Sequence, residues 1–238
     1  MYTIQGIIRK SVDNSFTQWE RLGQVANNLA NLQTHGYKNV SFEQMLGEDG
    51  YLKGALRTNY SQGSIRITEN PYDVAIDGVG FIPVTSPTGE VQYTRDGGFK
   101  QGTNGYLVTN DDWIVGEGIK IPTNCYKFEI KPNGEVYSYD FAKAEPKHLG
   151  TIPLVRFTSP EGLRQVDMNR LSATDEVGEI TLVKDHKCFK QHNIEMSNTN
   201  VYNSTSEMLR LNASMLASMQ VLKVVDQMYN KAINLREG

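Results

Sequence analysis

Two heptad stripes, one near each end of the chain, enclose a long stretch that reads as strands and turns. Ile8, Val12, Ser15, Trp19, Leu22, Ala26 and Leu29 recur with alternating spacings of four and three. Met208, Leu211, Met215, Ser218, Leu222, Val225 and Tyr229 keep the same rhythm. That period belongs to a helix with one apolar seam. Leu209, Leu216, Met219, Val221 and Val224 widen the second stripe, so that helix expects more than one neighbour. Some 35 helical residues make a rod of about 50 Å.

Between the stripes the period changes. Val74–Ile76, Phe81–Ile82, Val91–Tyr93, Tyr106–Val108, Phe128–Ile130 and Val136–Tyr139 are short β-prone runs. Asp77-Gly78, Thr88-Gly89, Asp96-Gly97-Gly98, Asn104-Gly105 and Asn133-Gly134 punctuate them and mark tight turns. The expected fold is α+β. Long N- and C-terminal helices pair as a coiled coil, and a mostly antiparallel β domain is inserted between them. An ordinary α+β domain with both helices on its sheet is the alternative.

Composition removes several classes of function. With 24 basic and 27 acidic residues among 238, the chain has no basic stripe for nucleic acid. Mean hydropathy is −0.46, and no run approaches the ~20 apolar residues of a membrane span. The N-terminus lacks the pattern of a cleavable signal peptide. Cys125 and Cys188 form no CxxC pair. Phosphate-loop, dinucleotide and nucleophile-elbow motifs are missing, and Gly78-Val79-Gly80 and Gly116-Glu117-Gly118 read as turns. Asp185, His186, Cys188 and His192 place zinc-type ligands close in sequence. A strand turns His186 and Cys188 to one face but does not easily return His192, so no metal site is expected. Adjacent Asp111 and Asp112 point apart on a strand and do not make a carboxylate pair. No catalytic residue, cofactor or metal is expected, and the chain is not expected to be an enzyme.

Residues 26 to 38 read ANNLANLQTHGYK. Asn27, Asn28 and Asn31 are mediocre helix formers at the end of a well-patterned helix. They serve either as hydrogen-bonding groups where helices crowd or as looseners of a fraying end. Gly36 is placed to allow a left-handed turn after the helix.

This stretch, with Thr34, Gly36, Tyr37 and Lys38, resembles the N-terminal signature of the flagellar rod and hook family, in which phenylalanine is usual where Tyr37 stands. Asp73-Val74-Ala75-Ile76-Asp77-Gly78-Val79-Gly80-Phe81, followed by Tyr93-Thr94-Arg95-Asp96-Gly97 and Phe99, resembles that family's central block. Glu195-Met196-Ser197-Asn198 with Val201 resembles the motif that opens its C-terminal helix. Three blocks in the right order make the resemblance specific.

The resemblance implies an axial structural subunit of the bacterial flagellar basal body. It implies a helical assembly segment at 1–38, a β-rich domain with connecting segments at 39–195, and a second assembly segment at 196–238. Ile8, Val12, Trp19, Leu22, Ala26, Asn27, Asn28, Leu29 and Asn31 are the expected assembly residues of the first helix. Met208, Leu211, Met215, Leu222, Val225 and Tyr229 are those of the second. Gly36, Asp73, Gly78, Gly80, Arg95, Gly97, Ser197 and Asn198 are expected to be structural. The implied partners are further copies, other axial proteins of the family and the flagellar export apparatus. The implied location is the periplasmic rod, reached without a cleaved signal. Residues 1 to about 35 and 200 to 238 are expected to be largely disordered before assembly.

Within the family, Phe157–Leu163 and Asn169–Leu171 resemble the distal rod protein. The short connection between Lys38 and Asp73, and the lack of a Gln-x-x-Tyr-Glu-x-Asn pattern in the last helix, favour a proximal rod subunit. A free β-rich binding module that oligomerises through its terminal helices is the reading from another class.

Overall fold

The computed structural model describes residues 4–47, 52–142, 145–183 and 187–234. Helix α1 spans Ile4–Ala30 and helix α2 spans Val201–Asn234. Asn200 caps α2, its Oδ1 accepting from the Asn203 amide at 3.1 Å. Asn31 closes α1: its backbone N–H and its Nδ2 both donate to the Asn27 carbonyl, at 3.1 and 2.9 Å. Between the helices lie short, mostly antiparallel strands, so the class is α+β.

The chain forms two units. The first holds residues 1–31, 40–59 and 199–238. In it α1 and α2 pack side by side with a hairpin of β1 (Val40–Leu46) and β2 (Leu52–Thr58). The helices run antiparallel: Gln18 Nε2 reaches Ser214 Oγ at 3.0 Å, and Arg21 Nε reaches Glu207 Oε1 at 2.7 Å. On α2 the inward face follows the heptad, with Leu211 buried and Met208, Met215, Leu222 and Val225 half-buried. On α1 the inward face lies one residue behind the apolar stripe. Gln18, Val25 and Asn28 are buried there, and Ser11, Asn14 and Arg21 are half-buried. A one-residue offset is a rotation of about 100° around the helix axis. The packed seam of α1 is therefore mainly polar.

The second unit holds residues 32–39 and 60–198. Its largest sheet has seven strands, with β5 (Ile82–Thr85) and β6 (Val91–Thr94) near the middle. Two further ladders join the start of the unit to its end. β3 (Ile65–Ile67) pairs with Asn193–Glu195, and β4 (Val74–Ile76) pairs with Phe189–Gln191. The chain thus returns, just before α2, to the strands with which the unit began. Val74, Ile76, Ile82, Val84, Phe99 and Leu107 are among the core residues. Each such side chain, taken out of water, contributes roughly 1.5–3 kcal/mol. A second cluster forms around Phe81, Tyr93 and Phe157, with Tyr93 and Phe157 edge to face at 4.8 Å.

Candidate functional site

In the helical unit, Ile8, Val12, Trp19, Ala26 and Asn27 are exposed, Leu22, Leu29 and Asn31 are half-buried, and Asn28 is buried. Trp19 is 60% exposed, and Phe16, which the stripe passed over, is 66% exposed. Leu209, Leu216 and Met219 stand exposed on α2. The side chain of Tyr229 lies outside the described residues. Both helices thus keep apolar residues in solvent while their polar or narrower faces meet. The asparagines divide. Asn28 binds both backbone groups of Val40, donating to its carbonyl at 2.7 Å and accepting from its N–H at 3.0 Å. Asn31 caps, and Asn27 supplies the capped carbonyl.

In the β-rich unit the recognised blocks converge on one carboxylate. Glu195 is fully buried. Its Oε1 accepts from Lys38 Nζ at 2.6 Å and from the Gly63 amide at 2.8 Å, and its Oε2 accepts from Arg95 Nε at 2.8 Å. Lys38 Nζ also donates to the Ser61 carbonyl at 2.7 Å. The rest of the Arg95 guanidinium is spent on main chain, donating to the Gly80 and Gly78 carbonyls at 2.9 Å each and to that of Ile76 at 3.4 Å. Burial pushes the Lys38 ammonium below the ordinary lysine range, and the Glu195 charge opposes that shift. Two cations about one anion are tolerable this deep only because nearly every donor has an acceptor.

Backbone contacts tighten the same place. The Gly36 amide donates to the Glu195 carbonyl at 2.8 Å, and Gly36 adopts φ +66°. A Cβ there would lie 2.6 Å from the Arg95 carbonyl carbon and the Asp96 nitrogen. At Gly97 a Cβ would collide with the Val74 carbonyl oxygen. Asn198 Oδ1 accepts from the Asn39 amide at 2.6 Å, and its Nδ2 donates to the Ser61 carbonyl at 3.0 Å. Asp73 is buried and accepts from Asn70 Nδ2 at 2.7 Å, and Ser197 is buried. Sequence reasoning named Arg95, Gly36 and Asn198 but not Lys38 or Glu195 as structural positions, although both stand inside the resembling motifs. A charge pair separated by 157 positions leaves no local period to read.

Other candidates resolve differently. Asp185 and His186 lie outside the described residues. Cys188 is half-buried, its thiol pushed up by burial, and His192 adopts φ +57° in a turn. Among the described residues no group of His, Cys, Asp and Glu is arranged to hold a metal ion. Asp111 pairs with Arg170, whose guanidinium lies 4.2 Å from the Trp113 ring centroid. No helix of the described residues is long and apolar enough to cross a membrane.

The chain is similar to known proteins. A family model described as "Flagellar hook protein FlgE/F/G D1 domain" matches residues 75–138. The flagellar basal-body rod protein FlgG of Caulobacter vibrioides is 26% identical over 258 aligned positions, which cover 96% of this chain and 98% of that protein. The protein of the same name from Bacillus subtilis is 26% identical, with 91% and 93% covered. The flagellar hook protein FlgE of Brucella abortus is 34% identical over 127 residues, 49% of this chain and 32% of that protein.

Proposed function

We propose that the chain, similar along nearly its whole length to flagellar rod proteins and matched in part by a rod and hook family model, is a member of that family and a structural subunit of the flagellar rod, of the proximal type. Its relatives are structural proteins of rod and hook, not enzymes. Copies assemble helically around the export channel, with the terminal helices as an inner layer of coiled-coil pairs and the β-rich unit outside. A repeated heterologous contact that does not close on itself generates such a tube. The tube carries torque from motor to hook. The subunit reaches the periplasm through the flagellar export apparatus, without a cleaved signal, and packs against other axial proteins.

The observation that carries this reading is the apolar surface left on both terminal helices. Ile8, Val12, Phe16 and Trp19 on α1, and Leu209, Leu216 and Met219 on α2, are exposed in the single chain. Surface of this kind along long helices marks a protein–protein contact. The proximal position is supported by the short connection between Lys38 and Asp73. The Caulobacter alignment runs longer than this chain's 238 residues, so that relative carries residues this chain lacks. Phe157–Leu163 and Asn169–Leu171 favour the distal reading instead.

Electron microscopy of basal bodies from cells lacking the gene tests the proposal. Rings and export gate with a missing or truncated rod, and no hook, are expected. A short rod stump in place of no rod assigns the distal position. An intact rod and hook overturns the rod reading and leaves a free binding module.

A further inference from the structure

The helical unit contains a polar cavity of about 150 Å³. Gln18 and Arg21 of α1, Gln44 of β1, and Glu207, Arg210 and Ser214 of α2 stand in its wall. Gln18 is 8% exposed, and its Oε1 is buried with no hydrogen-bond partner. Turning the amide over only moves the vacancy. Ser214 would then donate to Oε1, and Nε2 would be the atom left without a partner. Native interiors rarely leave such an atom unpaired. Glu207, the only acid among these groups, is already taken by Arg21. Arg210 has no ion pair among the described residues, so the cavity keeps one positive charge in excess.

We propose that this cavity receives a carboxylate side chain from a second copy of the chain, an inference that rests on the rod reading above. With the amide turned, Nε2 donates to one carboxylate oxygen while the Arg210 guanidinium donates a charge-assisted hydrogen bond to the other. Trp19 and Leu209, exposed on the same two helices, add apolar surface for such a contact. The same helices offer the complementary charge on a neighbouring copy, because Glu20 on α1 and Asp226 on α2 are exposed.

Sedimentation velocity of the purified full-length chain over a range of concentrations tests this. The wild type is expected to self-associate, and Arg210→Glu to weaken association about tenfold or more. Reversal of the matching acid in the same chain, Glu20→Arg or Asp226→Arg, restores it. Gln18→Leu keeps the fold checkable: it removes the unpaired atom, so its melting temperature holds or rises while its association falls. A hydrated internal cavity predicts instead that Gln18→Leu and Arg210→Glu associate as the wild type does, which overturns the inference. A wild type that stays monomeric, or restoration by neither acid reversal, also overturns it. Normal rods in cells carrying Arg210→Glu, where the gene deletion abolishes them, overturn this inference and leave the rod reading standing.

Discussion

Asn28 turns both ends of its side-chain amide onto the backbone of Val40, accepting from the N–H at 3.0 Å and donating to the carbonyl at 2.7 Å. One helical side chain thereby completes the hydrogen bonding of the first residue of β1. Asn28→Ala leaves two buried main-chain groups unpaired, which costs about 2–4 kcal/mol. Asn27→Ala, at an exposed neighbour, shifts stability by about 0.5 kcal/mol or less. Denaturant midpoints of the two variants, compared at equal slope, check the contrast. Equal losses would mean that the Asn28–Val40 pairing does not pin the helix to the hairpin.

Glu195 is the common partner of Lys38 and Arg95. Glu195→Gln strands two buried cations and is expected to cost about 3–5 kcal/mol. Lys38→Met leaves the Arg95–Glu195 pair in place and costs less. Chemical unfolding of both variants gives the order, and a Lys38→Met loss as large as that of Glu195→Gln would contradict the arrangement.

Gly36 sits at φ +66° against the Arg95 and Asp96 backbone. Gly36→Ala meets a left-handed penalty of about 1–2 kcal/mol and a main-chain clash besides. The combined loss is expected to exceed that penalty alone, read as a fall in melting temperature together with faster amide exchange at residues 36–39.

Asp96 gives the domain a pH signature. Burial raises its carboxyl above the ordinary 3.8, while the Gly98 amide and His35 oppose the shift. The folded state therefore holds the proton to higher pH than the unfolded chain. This contribution to stability is full below the unfolded pKa and is lost as pH rises through the raised folded value. Asp96→Asn keeps the acceptor for Gly98 and removes that slope. Melting temperatures measured upward from pH 3.8 should fall in the wild type relative to the variant, and parallel curves would exclude the effect.

Trp19→Glu and Leu209→Glu place charge on exposed apolar positions. Folding stability should change by about 0.5 kcal/mol or less, while rod formation and swimming fail. Leu211→Glu, at a buried position, should instead unfold the helical unit. Normal swimming with Trp19→Glu and Leu209→Glu would remove both stripes from the assembly surface.

The sequence by itself determined the order of helix, β region and helix, the turns at Gly78, Gly89, Gly105 and Gly134, and the face that α2 turns inward. These are local signals: a period of about 3.5 or 2, or a glycine taking up positive φ, is readable within a short window. It passed over the β1–β2 hairpin, where Ser41-Phe42-Glu43-Gln44 and Lys53-Gly54-Ala55 show no β-rich run. Only the tertiary structure decided that α1 meets α2 along Gln18 and Arg21 rather than along Val12 and Trp19. A stripe records which residues seek apolar contact, not whether the neighbour belongs to the same chain. Only the tertiary structure, too, brought Lys38, Arg95 and Glu195 to one buried point. Such a charge cluster is fixed by the packing of distant strands, and no spacing along the chain encodes it.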